Sequence, residues 1–270
     1  MKRVLLVVVL LVCLPGSSLY AKAFAVASPN DKNHPVMALV GEHLSYDISF
    51  LWFDHLAEGS IQLSKGEKNG TFLVVMQART LGVAAFFTRD RIEKYETLME
   101  ISPQGYLRPL WHSSHSIRGN KDNRKEKTTK LIFDYIAGKV RYQKQKNGKV
   151  YAEQVFDLEK GKPQFDILTA LYDLRLGYFG PLSMGQIAIP TFHRQGPQDI
   201  IVEPLSGLSR EDAQFFSKDP IQCRILVDPS VFGTKGRDIF ASFDAAMKPR
   251  KGIIKNVIGL GDVRGTLRSN

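Results

Sequence analysis

The chain has 270 residues, two cysteines and a formal net charge of +10 at pH 7, and it contains no repeat or low-complexity tract. A chain of this length can bury a hydrophobic core, and an all-β sheet or barrel of this size can form a single domain. After residue 14 no apolar run approaches the roughly 20 residues that a membrane-spanning helix needs, so we expect no transmembrane segment in the mature chain.

The first residues have the pattern of a secretory signal. Lys2 and Arg3 precede the unbroken apolar run Val4–Leu14, and helix-breaking and small residues follow it. A run of eleven residues is short for the alternative, an uncleaved membrane anchor. Three alanines fit as cleavage positions, and Ala23 is favoured. We predict that residues 1–23 are a cleavable signal peptide and that the protein is periplasmic.

Export changes what the charge and the cysteines mean. Removal of residues 1–23 lowers the formal charge from +10 to +7 and leaves Cys223 as the single thiol, which excludes an internal disulfide. The segment Arg118–Lys149 holds eleven Lys or Arg residues against three acidic ones. Outside the cytoplasm such a patch attracts lipid head groups, lipopolysaccharide phosphates or acidic glycans rather than nucleic acid. The alternative is that these side chains are the solvated faces of long hairpins.

The residues after the signal predict a mainly β domain. Residues 24–40 are expected to form a flexible lead-in, and residues 41–268 a single β-rich domain. From Glu42 onward apolar and polar residues alternate with the period of two that is typical of a half-buried strand. We predict an antiparallel meander that forms a strongly curved sheet or open barrel. The strands are predicted at 42–50, 60–64, 71–79, 89–99, 106–117, 125–133, 139–145, 149–156, 186–192, 198–203, 221–227, 237–244, 252–260 and 261–267.

One segment has helical instead of strand spacing. Asp166 can cap a helix that ends at Gly177, and the residues between them are apolar nearly all round. A helix with this pattern is normally buried. We therefore predict one buried helix near residues 166–176, packed against the sheet.

Several stretches together resemble a known exported bacterial family. They are Gly41–Phe50 with Ala57–Leu63, Asp166–Arg175, and Arg237–Arg250 followed by Gly265–Leu267; Arg89–Ile92 and Tyr106–Leu110 add to the likeness. In this order and spacing they resemble domain of unknown function 3108, over about Val40–Leu267. The resemblance implies an envelope protein with an antiparallel, barrel-like β-fold. It implies no mechanism, because that family has no established catalytic residues.

Motifs for catalysis or metal binding are not apparent in the sequence. His112 and His115 lie three apart on a predicted strand, so they should face opposite sides of the sheet and not share a metal. Asp90 and Glu93 are interleaved with arginines, which favours surface ion pairs. We predict no catalytic residues, no metal site and no cofactor, although a site assembled from distant strands stays open as a third hypothesis.

The leading hypothesis is a non-enzymatic binding or assembly protein of the cell envelope. It would hold a lipid or other amphiphile in an apolar groove with a basic rim. The alternative is a structural interaction module that supports an envelope protein or acidic polysaccharide complex. The groove candidates are Tyr46, Phe50, Trp52, Trp111, Phe133 and Tyr135, and the anion-binding candidates are Arg124, Lys125, Lys127, Lys130, Arg141 and Lys144.

Overall fold

A computed structural model describes residues 33–50, 53–119, 123–193, 196–258 and 260–269. The predicted signal peptide, the first part of the predicted lead-in and Trp52 lie outside these residues. The strands are β1 (His43–Phe50), β2 (Phe53–Lys65), β3 (Thr71–Thr80), β4 (Ile92–Ile101), β5 (Leu107–Arg118), β6 (Lys125–Asp134), β7 (Lys139–Lys146), β8 (Lys149–Asp157), β9 (Ile187–His193), β10 (Gly196–Pro204), β11 (Ile221–Leu226), β12 (Asp238–Phe243), β13 (Pro249–Val257) and β14 (Gly261–Leu267). The α-helices are α1 (Gly82–Thr88), α2 (Ile167–Arg175), α3 (Arg210–Phe216) and α4 (Pro229–Phe232).

The strands of the described residues form one antiparallel, 14-stranded sheet. Strands β1 to β8 pair in sequence on one side of β1, strands β9 to β14 pair in sequence on the other side, and β14 pairs with β1. The sheet is open, with β8 and β9 at its two edges. This topology confirms the predicted mainly β, antiparallel meander in a curved, unclosed sheet.

A short backbone bridge and aromatic side chains, rather than a ladder between β8 and β9, bring the two edges of the sheet together. The chain at Phe165 forms a parallel bridge with Thr191 of β9, through N···O distances of 3.0 and 2.7 Å. Phe192 of β9 packs edge-on against Phe156 of β8 and Phe133 of β6. The curved sheet therefore closes around an interior although β8 and β9 share no hydrogen-bonded ladder.

Helix α2 fills part of this interior, as its all-round apolar character predicts. Asp166 caps it, accepting hydrogen bonds from the backbone N–H of Leu168 and Thr169. Leu168 and Tyr172 are fully buried against the inner faces of the strands. Two neighbouring apolar clusters, around α2 and the two halves of the sheet, form the main core.

A buried ion pair attaches the end of α2 to the start of the sheet. The guanidinium of Arg175 donates two hydrogen bonds to the carboxylate of Glu42, at 2.6 and 2.7 Å, and a third to the carbonyl oxygen of Met247. A bidentate pair of this kind fixes both distance and orientation. It connects the helix to the start of β1 and to the turn between β12 and β13.

The structure differs from the sequence prediction in four places. Residues Pro35–Leu39 form a 3-10 helix with Val36 in the core, so the predicted lead-in does not continue as a flexible segment to residue 40. Strand β2 begins at Phe53, seven residues before the predicted start. Helices α3 and α4 are short and were not predicted.

Of the helices in the described part of the chain, none is long and apolar enough to cross a membrane.

Candidate functional site

An apolar cavity lies inside the curved sheet, beyond the part that α2 fills. Its volume is about 400 Å³, and its walls are the inner faces of β1–β4 and β11–β14, with Leu171 of α2 and Phe232 of α4. The large side chains around it are Tyr46, Ile48, Phe50, Ile61, Met76, Ile239, Ile254 and Val263. A concave, mostly apolar cavity of this size is typical of small-molecule sites.

Small residues at inward strand positions create the cavity. Along β2 the inward residues change from Leu63 next to α2 to Gly59 and Ala57 at the cavity. Along β3 they change from Phe72 to Ala78 in the same direction. Gly265 of β14 lies between β1 and β13, and a Cβ atom placed there would meet no atom within 4 Å. The empty space thus follows from the residue types at these positions.

A second pocket, called here the basic mouth, adjoins the apolar cavity. Its volume is about 470 Å³, and it shares Arg91 and Leu260 with the cavity. Five cationic side chains line it, and no acidic residue does so in the described part of the chain. They are Arg89, Arg91, Arg118, Lys125 and Lys127.

Four of these cations have no acidic partner among the residues that the structure describes. Arg91 pairs with Glu93 at 2.6 Å, and Glu93 also accepts a hydrogen bond from Ser116. The other four cations make no ion pair with any carboxylate that the structure describes. Because like charges converge on one pocket, the field there favours an anion.

Exposed apolar side chains stand beside the mouth. Phe86 of α1 is 81% exposed and Ile258 after β13 is 61% exposed. Ile258 lines the mouth, and α1 ends at Thr88, which also lines it. An apolar rim next to cations matches a ligand or surface that is itself amphiphilic.

A third pocket is polar and is centred on a buried histidine. It has a volume of about 320 Å³, and it shares Lys127 with the basic mouth and Tyr95 with the apolar cavity. His112 lies in its wall, and Nδ1 of His112 is 3.0 Å from the carboxylate of Asp166 and 2.9 Å from the hydroxyl of Thr97. We call this the polar pocket.

The two buried carboxyl groups near α2, of Asp166 and Asp173, have pKa values that are shifted in opposite directions. Burial opposes ionisation of Asp166, but the charge and hydrogen bond of His112, with the hydroxyls of Thr169 and Thr97, outweigh it and lower the Asp166 pKa. Burial raises the pKa of Asp173 well above its ordinary value, and the backbone N–H of Leu107 compensates only in part. Asp166 is therefore favoured as the anion, and Asp173 as the neutral acid.

Only some of the predicted groove residues line the apolar cavity. Tyr46 and Phe50 line the apolar cavity. Phe133 and Tyr135 instead belong to the aromatic cluster at the sheet edges, where the Tyr135 hydroxyl donates to the carbonyl oxygen of Pro109. The Trp111 ring packs beneath the Nζ of Lys130, away from the cavity. Trp52 lies outside the described residues.

The predicted anion-binding residues also separate. Lys125 and Lys127 line the basic mouth, and Lys144 joins Lys127 in the polar pocket. The remaining three contact other side chains: Arg124 pairs with Glu126, Lys130 stacks on Trp111, and Arg141 lies 3.7 Å from Glu153.

Sequence reasoning missed part of the mouth and the centre of the polar pocket. The sequence favours surface ion pairs between Asp90, Glu93 and the interleaved arginines. Glu93 does pair with Arg91, but their side chains are only 21% and 22% exposed and line the apolar cavity, and both arginines line the mouth. His112 and Asp166 are 54 positions apart in the sequence, and no local pattern relates them. The Asp166 helix cap was recognised, but its second contact, with His112, depends on the tertiary fold.

Cys223 needs no functional account. It is completely buried in the core, and burial raises the pKa of its thiol to about 12. A buried neutral thiol behaves as a small apolar side chain.

Comparison with known proteins gives a fold-level likeness. No family model and no curated protein matches the sequence. The structure is similar to the crystal structure of a β-barrel-like protein of domain of unknown function DUF1849 from Brucella abortus. That likeness has a TM-score of 0.45 and 12% sequence identity, and it covers 86% of this chain and 97% of that one.

Proposed function

We propose that the protein is an exported, non-enzymatic binding protein of the bacterial periplasm that holds an anionic amphiphile. The tail would lie in the apolar cavity and the anionic head at the basic mouth. The observation that supports the proposal is that the two spaces adjoin, since Arg91 and Leu260 line both. The proposed export rests on the signal pattern of residues 1–23. The proposal includes a relationship to domain of unknown function 3108, which the sequence resembles.

The charge distribution supports an anionic rather than a neutral head. The cavity wall is almost entirely apolar, so a ligand that enters it gains by removing its own apolar surface from water. Cations are concentrated where the cavity meets the mouth. A single-chain lipid with a phosphate or carboxylate head satisfies both requirements.

The direct test is calorimetric binding of dodecyl phosphate, with butyl phosphate and dodecanol as partial ligands. We expect dodecyl phosphate to bind more tightly than either, and its affinity to fall as salt rises because the head interaction is screened. Equal binding of butyl and dodecyl phosphate would exclude the role of the cavity. A protein that binds none of the three would overturn the proposal.

A cavity variant tests the tail site. Gly265→Phe should place a ring in the cavity, where the backbone leaves room, and should weaken dodecyl phosphate binding at least about tenfold, the equivalent of ~1.4 kcal/mol. Thr266→Phe is the matched control, because neighbouring residues of a strand face opposite sides of the sheet. The control should bind as the unmodified protein does.

A charge variant tests the head site. Lys125→Gln together with Lys127→Gln should weaken binding about tenfold at low salt and much less at high salt. Lys130→Gln together with Arg141→Gln removes the same charge from side chains that lie outside the mouth. If the two double variants weaken binding equally, net charge rather than the mouth determines affinity.

A further inference from the structure

The polar pocket is a site in its own right, next to the two spaces that hold the proposed ligand. It meets the basic mouth at Lys127 and the apolar cavity at Tyr95. The Tyr95 hydroxyl donates a hydrogen bond to the carbonyl oxygen of Val231 at 3.3 Å, which holds this ring between the pocket and the cavity. A head group that extends beyond its phosphate can therefore reach the polar pocket without leaving the mouth.

His112 gives the pocket a defined hydrogen-bonding character. An ionised Asp166 only accepts hydrogen bonds, so Nδ1 of His112, which lies 3.0 Å from that carboxylate, carries a proton. Thr97 donates its hydroxyl proton to Asp166 at 2.7 Å and can accept from the same ring nitrogen. The other ring nitrogen, Nε2, is then left for a hydroxyl group of a ligand, which can either donate to it or accept from it.

The rest of the wall combines donors, acceptors and an aromatic ring. Lys144, Ser114 and Thr129 can donate, Gln198 carries an amide, and the Tyr151 ring is largely exposed. Asp166, Asp199 and Asp228 also line the pocket, so a second phosphate is less favoured here than in the basic mouth. Uncharged hydroxyl groups, which both donate and accept, match this wall.

We infer that the polar pocket binds a hydroxyl-bearing group, such as a sugar or glycerol, that is esterified to the phosphate at the basic mouth. This inference rests on the proposed function and specifies its ligand as a phosphodiester amphiphile with a polyol head. His112 forms a hydrogen bond with a hydroxyl of that head through Nε2, and Asp166 positions the ring.

The test compares three dodecyl phosphodiesters of equal charge, which differ in their second ester: methyl, glycerol or glucose. We expect the glucosyl diester, or both polyol diesters, to bind at least about tenfold more tightly than the methyl diester, as two added hydrogen bonds would produce. A gain for glycerol equal to that for glucose supports the inference and identifies glycerol as sufficient. Equal binding of all three overturns the inference and leaves the proposed function standing, whereas no binding of any overturns both.

Two variants locate the polyol site. His112→Asn keeps a donor toward Asp166 but loses the hydrogen bond at Nε2, so it should abolish the gain and leave the affinity for the methyl diester within about twofold of the unmodified protein. His115→Asn, on the opposite face of β5 beside Glu126, is the matched control and should keep the gain. Ser114→Leu blocks the pocket without touching the His112 contacts and should also abolish the gain, against Ser113→Leu as its control. If both His112→Asn and Ser114→Leu fold and keep the gain, the inference is wrong.

Discussion

The interior next to α2 and the interior around the apolar cavity are enclosed by the same strands but filled differently. Next to α2 the inward residues are large, such as Leu63 and Phe72, and they pack on Leu168 and Tyr172. Farther along the same strands the inward residues include Gly and Ala, and a cavity of about 400 Å³ is left. Packing at one end of the sheet thus stabilises the fold, whereas the other end contains a cavity. Stability and binding should therefore respond to substitutions at different ends.

The largest effect should follow from breaking the buried ion pair at the filled end. Arg175→Ala leaves the carboxylate of Glu42 without its bidentate partner, and we expect a loss of about 3–5 kcal/mol in the free energy of unfolding. Urea denaturation, monitored by circular dichroism, measures this loss of stability. Arg264→Ala, which removes an arginine from more exposed ion pairs, is the comparison and should cost less. Similar losses for the two variants would mean that the Arg175 pair does not anchor α2.

The next largest effect compares packing at the two ends. Leu168→Ala removes a fully buried side chain and should cost about 3 kcal/mol, because a new void forms in a filled region. Ile254→Ala removes a side chain that borders existing space and should cost about 1 kcal/mol. The same denaturation measurement applies to both. If Ile254→Ala cost as much as Leu168→Ala, the cavity would not be open in solution.

The two buried carboxylates near α2 should respond to pH in opposite directions. Asp166 has a lowered pKa, so its contribution is present above about 3.8, its unfolded value, and is lost as pH falls through its folded pKa. Asp166→Asn should cost about 2 kcal/mol at pH 7, and this difference from the unmodified protein should shrink at pH values below 4.

Asp173 provides the matched control, since its folded pKa is raised. Its contribution is present below the unfolded value and is lost as pH rises through the folded pKa. Asp173→Asn should therefore gain stability relative to the unmodified protein as pH increases. Unfolding free energies measured from pH 3 to pH 8 test both, and parallel curves for the two variants would contradict the assignment.

The smallest effect concerns the glycines at the hollow end. Gly265→Ala adds a methyl group that meets no atom within 4 Å, and it should stabilise the protein by about 0.5 kcal/mol by restricting the unfolded chain. At Gly59 the added Cβ would lie 3.0 Å from the Cδ1 atom of Ile48, so Gly59→Ala should gain less or destabilise. Thermal denaturation of the two variants compares them, and a larger gain at Gly59 would contradict the cavity geometry.

Local patterns were sufficient for most of the fold. Alternation in β1 and the cap-to-glycine pattern around α2 predicted both elements within one or two residues, because a strand face and a helix cap are encoded by neighbours in the sequence. The short helix α4 was missed, since four residues carry too little periodicity. Of the five aromatic candidates that the structure describes, two line the cavity, because the sequence shows that Phe133 is apolar but not which apolar space it enters.

The sequence by itself determined the class of the fold, the buried helix and the concentration of positive charge, and it predicts export. These properties depend on composition and on contacts between near neighbours. Only the tertiary structure decided that Arg91 and Lys127 lie around one mouth, that this mouth opens beside an apolar cavity, and that Asp166 reaches His112. Those relations depend on how far the sheet curves and where the small residues of separate strands align, and pairing between strands distant in sequence sets both.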